Sequence, residues 1–407
     1  MNVINFREHQ MADQSGDYKD IVKSNAWKFI ILLGVVSLLA DMTYEGARSI
    51  TGPYLAILGA SATVVGFVSG FGELVGYVLR FFSGYLSDKT RQYWAITIVG
   101  YAVNLLAVPL LALAGSWEIA AVLIITERFG KAIRTPARDV MLSHATSRVG
   151  SGWGFGVHEA MDQIGAILGP LIVAAVLFLN GTYRTGFALL LIPALLALAV
   201  LMLSRFLYPH PHHLELSQPK LETRGFKRIY WIYIAAVALI AAGFTDFPLI
   251  AYHFQKSVVV SAAIIPIFYA VAMGVDALAA LIFGRLFDKV GVSIMIVVAL
   301  LSTLFAPLVF LGGFYAALVG MALWGIGLGA QESIMRAAVA IMSPVEKRGV
   351  AYGAFNTIYG VSWFLGSVLM GVLYDISIFY LVVFSMVMQL SSVPLFLVIR
   401  KITGKHD

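Results

Sequence analysis

Apolar runs of about 20 residues recur along the chain, each cut short by a polar break, and twelve can be counted. They fall at residues 28–57, 62–85, 94–114, 118–140, 152–179, 184–206, 229–250, 260–284, 292–312, 315–341, 350–374 and 377–399. A helix of that length matches the ~30 Å hydrocarbon layer of a bilayer, where only helices or closed barrels satisfy their own backbone. The pattern predicts an all-α integral membrane protein with twelve transmembrane helices. A polar stretch over 208–227 divides the runs six and six. The expected organisation is an N-terminal tail (1–26), a six-helix bundle (27–207), a cytoplasmic linker (208–227), a second bundle (228–400) and a short tail (401–407).

Composition agrees with the pattern. Of 407 residues, 60% are hydrophobic and 12% charged, and the mean hydropathy is +0.86. Soluble domains carry roughly 25% charge. The absence of cysteine excludes disulfides, iron–sulfur clusters and thiolate metal sites. The net charge of +6 is dispersed between spans, which fits basic cytoplasmic loops and no nucleic-acid partner. Only Arg48, Arg184 and Lys256 fall in or near the odd-numbered loops, whereas Lys89, Arg91, Arg138, Arg205, Arg224 and Lys289 are among those on the other side. Both termini are therefore expected in the cytoplasm, and the setting expected is a bacterial inner membrane. The first 26 residues lack the basic-then-apolar order of a cleavable signal peptide.

Charge inside the runs changes the picture most. Asp41, Glu45 and Arg48 stand at i, i+4 and i+7 in the first span and share one helical face, with Tyr44 beside them. Each charge at such depth costs at least ~2.5–3.5 kcal/mol against lipid, so the face should point into protein or water. A face that only fixes helix packing is the structural alternative. In the fourth span Glu127, Arg128, Lys131, Arg134 and Arg138 form a cationic face, and the fifth answers with Glu159 and Asp162. These suggest ion pairs between the two helices, serving as a gate or as a static clamp. The second half is sparser, with Asp246, Asp276 and an i, i+4 pair, Glu332 and Arg336. Deep acids outnumber deep bases, so some carboxylates lack a partner, and an unpartnered carboxylate in a low-dielectric cavity takes up a proton. Asp41 or Glu45 is accordingly expected to carry a proton, tuned by Arg48 or Arg128.

The halves echo each other: Gly84, Asp88 and Lys89 recur as Gly284, Asp288 and Lys289, displaced by 200 residues (from 88 to 288). A weaker echo sets Trp153-Gly154 after Arg148 against Tyr352-Gly353 after Arg348. Such repeats mark transporter folds whose substrate site lies between them near the bilayer midplane.

With these features the chain resembles the major facilitator superfamily of secondary transporters, over essentially its whole length. The resemblance implies two pseudo-symmetric six-helix bundles. Gly84, Asp88 and Lys89 look like the signature loop between helices two and three, taken in the family to latch the cytoplasmic side, and Gly284, Asp288 and Lys289 are the second copy. Arg91 stands where glycine is usual, while the second copy keeps Gly291. Arg128 is similar to the family's intramembrane arginine associated with proton coupling. Gly165, Gly169 and Pro170 resemble the glycine–proline motif of drug and metabolite antiporters, although Val173-Ala174 replaces its terminal glycines. Tyr44, Phe247, Trp324 and Tyr359 lie in spans the family uses to line or flank its cavity.

The expected function is a monomeric secondary transporter in the lipid bilayer, exporting a small amphipathic drug or metabolite in exchange for H+. The proton gradient supplies the energy and no cofactor is expected. Proton-coupled import is the alternative. Divalent-metal transport is a third reading, because His158 and Asp162 stand at i, i+4 and His210, His212 and His213 form a short tract. An enzyme would need a nucleophile or metal constellation, and no Gly-x-Ser-x-Gly, His-Glu-x-x-His or phosphate-binding glycine loop occurs.

Overall fold

The computed structural model describes residues 2–149, 151–209, 228–343 and 348–403. The histidine tract of the linker lies outside the described residues, as do the side chains of residues 2–23, Asp88, Arg148, Trp153, Arg336 and Arg348.

Fifteen α-helices account for nearly all of the described residues. They are α1 (Asn2–Ile57), α2 (Ala62–Thr90), α3 (Tyr93–Leu110), α4 (Trp117–Val149), α5 (Ser151–Phe178), α6 (Tyr183–Leu189), α7 (Leu191–Leu207), α8 (Arg228–Gly243), α9 (Phe247–Ser257), α10 (Ile265–Val290), α11 (Ile294–Thr303), α12 (Phe305–Leu311), α13 (Phe314–Met342), α14 (Arg348–Ile376) and α15 (Ile378–Thr403). Ten stretches of the described residues are long and apolar enough to cross a membrane, against the twelve expected. The difference has two causes. The charges of α4 keep it below that measure, and α10, α11 and α12 run together as one apolar stretch from Ile265 to Leu311. The first membrane-crossing stretch, Ser24–Ile57, continues a helix that already begins at Asn2, where a polar tail was expected.

α1–α7 precede the linker and α8–α15 follow it. Within the first set α1 packs on α5 and α3 on α4; within the second α10 packs on α13 and α8 on α15. The sets meet where α2 lies along α14, α1 along α9, and α5 along α10. Glycine permits the close approaches. A methyl on Gly52 would sit 1.9 Å from the Pro248 carbonyl oxygen, and one on Gly66 would sit 2.3 Å from that of Ser367. Small residues bring helices together where lipid offers no hydrophobic drive between them.

Both α2 and α10 end on a residue of positive φ, but in different backbone shapes. Arg91 closes α2 in the left-handed helical region, at φ 56° and ψ 16°, and donates its N–H to the Ser87 carbonyl, whereas Gly291 follows α10 at φ 62° and ψ −151° and donates to the Phe287 carbonyl. Glycine adopts either conformation freely, while arginine pays for the left-handed one.

The helix break between α8 and α9 positions the site. Phe244, Thr245 and Asp246 leave helical geometry, Asp246 caps α9 by accepting the Phe247 N–H at 2.9 Å, and Pro248 follows in its first turn. A break inside a membrane frees carbonyls that must find donors. Trp324 Nε1 donates to the Thr245 carbonyl at 2.8 Å, Ser385 Oγ to that of Gly243 at 2.7 Å, and Gln389 Nε2 to that of Ile240 at 3.3 Å.

Candidate functional site

The break sets Asp246 opposite Arg48 of α1. Arg48 donates to Asp246 at 2.6 Å across the two halves and lies 3.3 Å from Glu73 of α2. Glu73 is shared: Arg128 of α4 approaches it at 3.6 Å and its own neighbour Glu127 at 3.3 Å. Asn104 of α3 fixes Glu127 through bonds of 2.7 Å to its carboxylate and 3.0 Å to its carbonyl. Lys131, one turn on from Glu127, reaches Glu45 at 3.8 Å and lies 3.9 Å above the Tyr44 ring. Tyr269 of α10 closes the network by donating to Glu45 at 2.5 Å, a second bond between the halves. Buried charges are tolerated when paired and hydrogen-bonded, and these largely are.

Two cavities adjoin the network. The more polar one encloses about 570 Å³ of empty space including open solvent, and seven of its nine lining residues are acidic or basic: Glu45, Arg48, Glu73, Arg80, Arg128, Lys131 and Glu332. The other, about 440 Å³, lies between Tyr44, Thr51, Val108, Glu127 and Asp246, among others. At the end of the bundle far from the termini the halves are sealed. Tyr252 Oη donates to the Ala60 carbonyl at 3.2 Å, and Asp375 at the end of α14 accepts the N–H groups of Ala62 and Thr63 at 3.1 and 2.8 Å. Toward the end that bears the termini, the polar cavity extends along Gly76, Tyr77 and Arg80 of α2.

The expected site residues divide accordingly. Glu45, Arg48, Arg128 and Glu332 line the polar crevice, while Tyr44, Glu127 and Asp246 line the other cavity. Asp41 borders neither; it is buried and accepts the Tyr44 hydroxyl. Glu159 is exposed. The ion pairs expected between α4 and α5 do not form among the described residues. The α4 bases turn instead to α1 and α2, Arg138 pairs with adjacent Asp139 at 2.8 Å, and Arg134 stacks on Tyr101 at 4.1 Å. Phe247 and Trp324 line neither of these two cavities: they pack within the second half, 6.1 Å apart, with Trp324 held by the helix break. Tyr359 is buried, donates to Gln331 at 3.1 Å, and sits edge-on to the crevice residue Tyr77.

The motif glycines are packing positions. A methyl on Gly165 or Gly169 would lie 2.3 Å from the carbonyl oxygen of Leu38 or Met42, so both serve the close contact of α1 and α5, as Pro170 sits in the same helix. Gly84 faces Pro136 of α4 and Gly284 faces Ser333 of α13, equivalent contacts in the two halves. Lys89 lies over Tyr85, while Asp288 and Lys289 are exposed. His158 and Asp162 come within 3.5 Å, but among the described residues no three His, Cys, Asp or Glu side chains gather as metal ligands do.

Glu73, Arg80, Tyr269 and Asp375 were not singled out from the pattern of residues. A signal existed for two of them, since Glu73, Tyr77 and Arg80 repeat on α2 the i, i+4, i+7 spacing of Asp41, Glu45 and Arg48. Tyr269 and Asp375 act only across the interface between the halves.

Residues 33–367 and 232–405 match the model of the Major Facilitator Superfamily. An uncharacterized protein of Mycobacterium tuberculosis is 42% identical over 383 residues, which is 92% of this chain and 94% of the relative. An uncharacterized MFS-type transporter of Methanocaldococcus jannaschii is 29% identical over 365 residues, 86% of this chain and 89% of its own length. Among solved structures, a mutant of the nucleoside transporter NupG superposes with a TM-score of 0.74 at 15% identity, covering 91% of this chain and 98% of its own. A bacterial homolog of the human lysosomal transporter Spinster, in an inward-facing and unoccupied conformation, gives 0.73 at 14% identity, with coverages of 93% and 97%. The peptide transporter POT gives 0.74 at 13% identity, with coverages of 93% and 94%. At these identities the likeness is one of fold.

Proposed function

Because this chain belongs to the Major Facilitator Superfamily and is a transporter, not an enzyme, we propose that it exchanges a small, charged metabolite for protons by alternating access. The single observation that carries this reading is the crevice between the halves, where Arg48, Arg80, Arg128 and Lys131 face Glu45, Glu73 and Glu332. Such a lining suits a solute bearing an anionic group, alone or with an amine, better than the apolar body of an amphipathic drug. Arg48 and Glu45 each bond the opposite half, so a solute carboxylate or phosphate that competes for Arg48 loosens the contact with Asp246 as it binds. Binding energy spent in that way biases the rocking of one half against the other. Protons enter through the acids of the first helix. Export is the proposed direction, supported by the motif at Gly165, Gly169 and Pro170.

The protein acts as a monomer in a bacterial inner membrane with both termini in the cytoplasm, an orientation that the basic loops support. In that orientation the described state is inward-facing. A thermal-shift screen of anionic, zwitterionic and cationic metabolites at two pH values tests the reading. Stabilisation by ligands bearing a carboxylate or phosphate supports it, and a response confined to apolar cations refutes it. Inverted vesicles that accumulate the hit only under an acid-inside gradient establish export by exchange.

A further inference from the structure

Behind the crevice, where α1, α4 and α5 meet, lies a second polar cluster that lines neither cavity. Asp41 is 7% exposed and bound by the Tyr44 hydroxyl. Gly165, whose missing side chain lets α5 close on α1, sits against the Asp41 Cβ, and Asp162 is one turn earlier on the same helix. His158, 3% exposed, holds its Nδ1 3.5 Å from Asp162 Oδ2. Asp162 Oδ1 and His158 Nε2 are buried and have no hydrogen-bond partner.

The surrounding cations do not neutralise these acids by contact. Arg138 gives its strongest bonds to Asp139 and reaches Ser37 at 3.1 Å, and Arg134 lies on Tyr101. Lys131 is engaged by Glu45. Among the described residues neither Asp41 nor Asp162 forms an ion pair with an arginine or lysine. The other titratable groups facing the cluster are Tyr44 and Glu45 from α1, Tyr101 from α3 and Glu159 from α5. Asp162 stands one turn before Gly165 on the helix that packs against Asp41, and two neighbouring buried carboxyls are most stable when one of them carries a proton.

We propose that Asp41, Asp162 and His158 form a proton-binding relay, separate from the solute crevice and connected to it at Glu45 through Tyr44. This rests on the proton-coupled reading above and assigns the proton its own compartment. One proton occupies the cluster at a time. It passes from the Asp41 carboxyl to the Asp162 carboxylate, then to His158 Nδ1, while Nε2 releases a proton toward the end of α5 that begins at Ser151. Each hop leaves the donor ionised and the acceptor neutralised or, for the imidazole, charged, so the total charge of the cluster stays constant until release. His158 lies seven residues into α5, about 10 Å from that end at 1.5 Å per residue. Solute and proton then do not compete for one carboxylate. They communicate through Lys131, which touches both Glu45 and the Tyr44 ring.

Infrared difference spectroscopy of the full chain in lipid nanodiscs, between acid and alkaline buffer, reads the carboxylic C=O band directly. The wild type should show a band that Asp41→Asn and Asp162→Asn each remove. Asp162→Glu and Glu73→Gln should retain it. After a pH jump His158→Gln should keep the band but lose it at least tenfold more slowly. A band unchanged in both amide variants overturns the site, as does one lost equally in Glu73→Gln. An unchanged rate in His158→Gln overturns the relay. The signal needs no solute, so the relay can fail while transport stands, and the ligand screen can fail while the relay stands.

Discussion

Replacing Asp375 by alanine should unseal the end of the bundle far from the termini. The carboxylate stands on α14 but serves the first turn of α2 in the other half, accepting the Ala62 and Thr63 N–H groups and the Thr63 hydroxyl at 3.1, 2.8 and 2.6 Å. The next donor, Val64, is held by Ser61 Oγ at 3.2 Å, and Val65 N–H reaches the Ser61 carbonyl. The donors of the first three helical residues, which have no partner within the helix, are thus satisfied, two of them from across the interface. Loss of a capping side chain costs about 1 kcal/mol. The hydroxyl contact adds roughly the same, although solvent around Asp375 holds the total to about 1–2 kcal/mol. That amounts to a 5- to 30-fold shift in the ratio of sealed to open far ends. Because the chain has no cysteine, Leu179→Cys and Tyr315→Cys can carry spin labels at exposed positions near the far end, one in each half. Pulsed electron-electron distance measurements should show a longer-distance population rising in Asp375→Ala and by less in Asp375→Asn. Identical distributions in the wild type and the alanine variant would refute the assignment of Asp375 as the seal.

Other perturbations probe different joints of the structure. Arg48→Ala should lower the unfolding midpoint at least twice as far as Asp246→Asn. The first leaves Asp246 buried without its cation, at about 3–5 kcal/mol, whereas the second leaves Arg48 with Glu73 and preserves an acceptor for the α9 cap. Equal shifts in a thermal melt would show that the pair is not what holds these charges. Gly169→Ala forces a methyl to within 2.3 Å of the Met42 carbonyl and should cost about 1–3 kcal/mol, read as lower yield of folded protein and an earlier melt. Arg91→Gly, by contrast, should stabilise the loop by up to about 1 kcal/mol, because it relieves a left-handed residue at φ 56°. Its measure is slower proteolysis between α2 and α3.

Much of the architecture was legible along the chain because the bilayer imposes one length and one polarity on every crossing element. The spans, the halfway break and the repeat at Asp88 and Asp288 follow from that constraint. α4 shows its edge: the run at 118–140 counts among the twelve, yet Arg128, Lys131 and Arg134 charge it beyond an ordinary apolar span, and it holds its place because α1, α2 and α3 supply Glu45, Glu73 and Tyr101. Helical periodicity likewise identified the face of α1 that carries Asp41, Glu45 and Arg48.

What periodicity cannot state is which element stands opposite each depth of that face. Arg48 lies seven residues, about 10 Å, further along α1 than Asp41. At its level the break at Asp246 and the acid of α2 are present; at the level of Asp41 the neighbour is α5, packed close by Gly165. One stripe of residues therefore serves a solvated crevice at one end and a dry cluster at the other. The sequence alone determined that charge must be enclosed within the bundle. The packing of helices from distant parts of the chain decided which charges meet water, which meet each other, and which end of the molecule is shut.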